Sequence, residues 1–154
     1  MLPSLHALRR TAVLAALTLS ATACLAEPAA PEPEVEFIRV TVGAQEVLVG
    51  STGTVTGGPI SIVSGAATNV SVEFLDADMQ EALGDEADVF QVNITTPAGV
   101  TFARTGAFAG TLTGGVAGTY DVSVSLFHIE EGHEDFGPFD VPVTVTAPVV
   151  MAGR

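Results

Sequence analysis

From Val35 onward, apolar residues recur at every second position, and the breaks between runs are filled with Gly, Pro, Asn, Asp and Ser. A period of two sends alternate side chains to opposite faces of an extended chain, so each run predicts a strand with one buried face. Ile38, Val40 and Val42 share a face in the first run. Short runs follow at 46–49 and 59–63, on either side of a Gly-rich stretch, 50–58, that reads as a turn or a loose edge. Val70, Val72 and Phe74 alternate with Ser71 and Glu73, and Phe90, Val92 and Ile94 alternate with Gln91, Asn93 and Thr95. Val100 and Phe102, then Phe108 and Leu112, lead to the clearest run, 119–127, where Tyr120, Val122, Val124 and Leu126 oppose Asp121, Ser123 and Ser125. In the last run, 139–145, Phe139, Val141, Val143 and Val145 face inward. Pro142 falls on the outward register without an N–H to donate, which predicts that this strand lies at a sheet edge or carries a bulge. Only 76–87 offers helical spacing, at Met79, Ala82 and Leu83, and a long loop fits it equally.

Eight or nine half-buried strands with turn signals between them, in one domain spanning 35–147, predict an all-β fold closed as a two-sheet β-sandwich. At Ala117-Gly118-Thr119-Tyr120, continued by Val122 and Val124, the sequence resembles the penultimate strand of bacterial immunoglobulin-like domains, in which a Gly-x-Tyr step leads into a strand beside the final one. The resemblance implies an immunoglobulin-like sandwich over about Val35 to Thr146. The chain has one cysteine and no tryptophan, so the disulfide and Trp of antibody-type domains are missing and the core must rest on aliphatic and Phe packing.

The amino-terminal pattern is of another kind. Arg9 and Arg10 precede an apolar run, 11–19, too short to span a bilayer, and small residues Ser20-Ala21-Thr22-Ala23 lead to Cys24. Residues 1–23 therefore read as a signal peptide. A lone thiol cannot form an internal disulfide, yet this one stands where the small residues end. The stretch Ala21 to Cys24 resembles the lipobox of bacterial lipoproteins, with Ala21 where leucine is usual. The resemblance implies a lipid on Cys24 as the new first residue and, because Leu25 is not aspartate, anchoring in an outer membrane. The alternative is ordinary cleavage after Ala23 or Ala26, giving a soluble secreted protein. Residues 24–34 carry the Pro/Glu/Ala sequence EPAAPEPE, which stays extended through proline stiffness and charge repulsion and reads as a tether. Residues 148–154 form a C-terminal tail.

Charge narrows the partners. Once Arg9 and Arg10 leave with the leader, Arg39, Arg104 and Arg154 face 18 carboxylates with no lysine, a net charge of −15. Such a surface repels nucleic acid and anionic headgroups and favours cations or cationic partners; the plain reading is that it serves solubility.

The one cluster with chemistry is the segment Phe127 to Gly137, in which six residues could ligate a metal ion. His128, His133 and Asp135, with Glu131 next, are the candidate ligands for zinc or copper, since imidazole nitrogen and carboxylate oxygen suit both ions. Gly132 and Gly137 lend the backbone freedom to wrap. Against this, His128 continues the inward face of Tyr120 to Leu126 and could simply close the end of the core. A hairpin tip is also ordinarily polar, and the spacing matches no zinc motif. Asp76-Ala77-Asp78 resembles the opening of a calcium loop but lacks its glycine and its closing glutamate.

No nucleophile elbow, phosphate-cradling glycine loop or Ser–His motif is present, so no catalytic residue is assigned. The leading expectation is a non-catalytic, lipid-anchored immunoglobulin-like module of the cell envelope that binds a protein or carbohydrate, or acts as a spacer. The other is an extracytoplasmic transition-metal binder using His128 to Asp135.

Overall fold

The computed structural model describes residues 33–84 and 87–149. The predicted leader, Cys24 and the tether up to residue 32 lie outside the described residues, as do 150–154 of the tail. No helix of the described residues is long and apolar enough to cross a membrane.

Ten strands run through these residues: β1 (Phe37–Val42), β2 (Gln45–Gly50), β3 (Val55–Thr56), β4 (Ile60–Val63), β5 (Ala67–Leu75), β6 (Phe90–Thr95), β7 (Val100–Gly106), β8 (Ala109–Gly114), β9 (Gly118–His128) and β10 (His133–Thr146). They form one sheet in the order β3-β2-β1-β5-β8-β7 and a second in the order β4-β10-β9-β6. The chain is thus an all-β, two-sheet sandwich. The orders β1-β5-β8-β7 and β10-β9-β6 are similar to the A-B-E-D and G-F-C orders of immunoglobulin-type sandwiches. The hairpin of β2 and β3 widens the first sheet, and β4 lies parallel to the end of β10.

The period-two pattern explains which faces meet. Ile38, Val40 and Val42 of β1, Val70, Val72 and Phe74 of β5, Val122, Val124 and Leu126 of β9, and Val141, Val143 and Val145 of β10 are all buried in one core. Each such side chain contributes about 1.5–3 kcal/mol relative to exposure. β-Branched residues dominate it, which suits a pleated surface with restricted χ1. Phe139 and Tyr120 pack at the core's margin.

Three readings that the sequence left open are decided by the structure. Pro142 is not on an edge strand, because β10 lies between β9 and β4. The parallel pairing with β4 begins at Val143, so Pro142 stands just before the second ladder starts and its missing N–H interrupts nothing there. The strand carries a bulge instead: its register shifts lie between Glu134 and Phe136 and between Phe136 and Phe139. The helical spacing at Met79, Ala82 and Leu83 yields turns: Leu83 is buried, but Met79 has a φ of 62° and is exposed. The Asp76 carboxylate Oδ1 accepts from the backbone N–H groups of Asp78 and Gln80 at 2.9 and 2.8 Å, so the likeness to a calcium loop is spent on an Asx-type turn. Finally, the Gly-rich stretch 50–58 contains the short edge strand β3 as well as turns.

Candidate functional site

The β9–β10 hairpin carries the cluster. His128 and His133 are cross-strand partners that bracket the turn Ile129 to Gly132. The turn closes with the Gly132 N–H donating to the His128 carbonyl at 2.9 Å, and Gly132 takes a φ of 73°. Opposed residues in an antiparallel pair project from the same face, so the two imidazoles stand side by side with ring centroids 6.1 Å apart.

Beyond His133 the register slips. Glu134 pairs with Phe127, but Phe136 pairs with Leu126, which leaves Asp135 as the extra residue of a bulge. A bulge re-aims side chains. Here it brings the Asp135 carboxylate to both imidazoles: Oδ1 is 2.7 Å from His133 Nε2, and Oδ2 is 3.5 Å from His128 Nδ1. Glu131 Oε2, from the turn, lies 3.7 Å from His128 Nδ1 and 3.6 Å from His133 Nε2. All four predicted ligand residues therefore converge. Among the described residues, however, no three His, Cys, Asp or Glu side chains form a ready-made metal-binding group.

Gly137 supports the bulge. With a φ of 92°, it passes so close to β9 that an added Cβ would lie 2.9 Å from the Val124 carbonyl oxygen and 3.2 Å from Ser125.

Glu134 goes the other way. Its Oε1 accepts from Ser125 Oγ at 2.9 Å and from Asn93 Nδ2 at 3.1 Å on the outer face of the sheet, satisfying the buried Ser125 hydroxyl. It belongs to the scaffold and not to the cluster.

The environment is graded. His128 is only 17% exposed and its ring packs on Phe90, centroid to centroid 4.7 Å. This agrees with the expectation that it ends the inward face of β9. His133 is half exposed, at 51%, and Asp135 only 10%. The buried Asp135 Oδ2 has no hydrogen-bond partner. Asp135 also lines a cleft of about 410 Å³ with Leu126, Phe136 and the incoming segment Pro33 to Glu36, so the hairpin tip and the start of the domain share one end of the sandwich.

Sequence reasoning missed Phe90, the platform under His128. It lies in β6, far off in sequence, and only its pairing with His128 in the ladder reveals the role. It also missed the Tyr120 hydroxyl, which donates to the Val116 carbonyl at 2.9 Å. A tyrosine near the start of strand F bonded to backbone a few residues upstream is the tyrosine corner of immunoglobulin-like sandwiches.

No protein-family model matches this sequence, and no curated protein matches it.

Proposed function

We propose that this chain is an exported, non-catalytic immunoglobulin-like module, held in a bacterial outer membrane by a lipid on Cys24, that binds an envelope protein or carbohydrate or serves as a spacer there. The observation that carries the reading is the order of segments. The leader-like run, the lone Cys24 and the Pro/Glu tether all precede β1, which begins at Phe37. Among the described residues the first fully buried one is Ile38. The acidity agrees with an extracytoplasmic setting and argues against nucleic acid as a partner.

The test is the amino terminus of the full-length gene product expressed in a bacterium with two membranes. The proposal expects a membrane-bound protein that begins at Cys24 and carries acyl chains by intact mass, and release of Cys24→Ser into the soluble fraction. A soluble protein beginning at Cys24 with an unmodified thiol, or one beginning at Glu27, would replace it with the secreted alternative.

A further inference from the structure

We propose that the tip of the β9–β10 hairpin is a binding site for a divalent first-row transition-metal ion, Zn²⁺ in tetrahedral coordination, held by His128 Nδ1, His133 Nε2, Asp135 Oδ2 and Glu131 Oε2. The site stands on the hairpin itself and does not depend on the anchor at Cys24.

The first support is the spacing of the donor atoms. His128 Nδ1 is 3.5 Å from Asp135 Oδ2 and 3.7 Å from Glu131 Oε2, and His133 Nε2 is 3.6 Å from the same Glu131 oxygen. These separations are too long for hydrogen bonds. They are close to the edge of a tetrahedron whose corners lie about 2.0–2.1 Å from a central zinc, roughly 3.4 Å. His128 Nδ1, the ligand held in place, thus already lies near a tetrahedral edge from one oxygen of each carboxylate.

The second support is independent of the cluster's composition. Asp135 Oδ2 is buried without a hydrogen-bond partner in a side chain nine-tenths hidden from solvent. A carboxylate oxygen removed from water needs a donor or a cation, and an orphan of this kind calls for an explanation. The β-bulge aims this oxygen toward His128 Nδ1, and an ion between the two would satisfy it.

The departure from a finished site has a local cause. His133 Nε2 is drawn to Asp135 Oδ1 at 2.7 Å, tighter than a tetrahedral edge, so no three groups stand ready around a common point. His133 is half exposed and can swing away by side-chain rotation alone. His128, packed on Phe90, stays where it is. Metal uptake then consists of replacing the imidazole–carboxylate contact by two bonds to one ion.

Donor chemistry chooses the metal class. Two imidazoles disfavour Mg²⁺ and Ca²⁺, which take oxygen ligands, and two carboxylates with two nitrogens suit Zn²⁺ and, at higher intrinsic affinity, Cu²⁺. No lysine or arginine lies in the segment from Phe127 to Gly137 to compete for the carboxylates. Arg39 is engaged with Glu73 and Arg104 with the Ala107 carbonyl.

Calorimetric titration of the purified protein with ZnCl₂ in chelator-free buffer, with excess Mg²⁺ present, tests the site. One equivalent is expected with a dissociation constant on the order of micromolar or tighter, accompanied by a rise in melting temperature. His133→Ala changes a half-exposed side chain and leaves the core alone, and Asp135→Asn keeps the shape of the carboxylate. Each should weaken binding by at least about tenfold. Glu130→Gln, in the same turn but outside the ligand set, should change it less than about twofold. Co²⁺ substitution should give the intense visible bands of a four-coordinate ion, and these should vanish in His133→Ala. Absence of saturable heat, several weak equivalents displaced by Mg²⁺, or unchanged affinity in His133→Ala would each overturn the proposal.

Discussion

The Tyr120 hydroxyl donates to the Val116 carbonyl 2.9 Å away, and its ring covers Gly99, where an added Cβ would come within 2.6 Å of that hydroxyl oxygen. One tyrosine thereby ties the start of β9 to the loop before it and to the turn before β7. Tyr120→Phe removes the bond and leaves the carbonyl to find water, at a cost of about 1 kcal/mol. Gly99→Ala should cost more, because Gly99 also has a φ of 111° that a Cβ opposes. Urea denaturation should show both as lower midpoints with unchanged slope.

Phe74 is the largest fully buried side chain and meets Phe108 edge to face at 6.0 Å. Phe74→Ala opens a cavity between the sheets and should destabilise the domain by about 3–5 kcal/mol. Thermal unfolding followed by circular dichroism will show the loss.

Gly137→Ala tests the bulge. The substitution places a Cβ against Val124 and Ser125 at a φ of 92°, so β10 must move away from β9. A loss of more than about 1 kcal/mol is expected. If the bulge sets Asp135, zinc affinity should fall with it. A variant with lowered stability and unaltered zinc binding would separate the two roles.

Arg39 donates from Nη1 to Glu73 at 2.7 Å and approaches Glu46 at 3.7 Å, both across strands of the first sheet. The partner carboxylates are more than half exposed. Arg39→Met should therefore cost less than about 1 kcal/mol, and the difference from wild type should shrink in high salt. A large, salt-independent loss would mean that the buried Nε and the packed stem matter more than the charge.

How far the sequence could be read follows from the range of each signal. Alternation along the chain named the inward residues of β9 and β10 correctly, because a strand's two faces depend on parity alone. It also placed His128 at the end of the core. Parity fails at a bulge. Nothing local in His133-Glu134-Asp135-Phe136 says that Glu134 will turn to Ser125 while Asp135 joins the two imidazoles. That outcome depends on Gly137 pressing against β9 and on Asn93 waiting in β6. Pro142 left an edge or a bulge open: β10 carries the bulge, and it is no edge because the ladder with β4 begins one residue after the proline. The hairpin of β2 and β3, which enlarges the first sheet, could not be assigned to either layer from spacing.

The buried interior is built from Val, Ile, Leu and Phe, and the chain's sole thiol lies ahead of the first strand. Stability of the sandwich is consequently indifferent to the oxidation state of its surroundings. It needs neither an oxidase to mature nor protection from reductants, and dithiothreitol should leave its melting temperature where it was. A domain assembled this way can keep its shape in compartments whose redox poise changes.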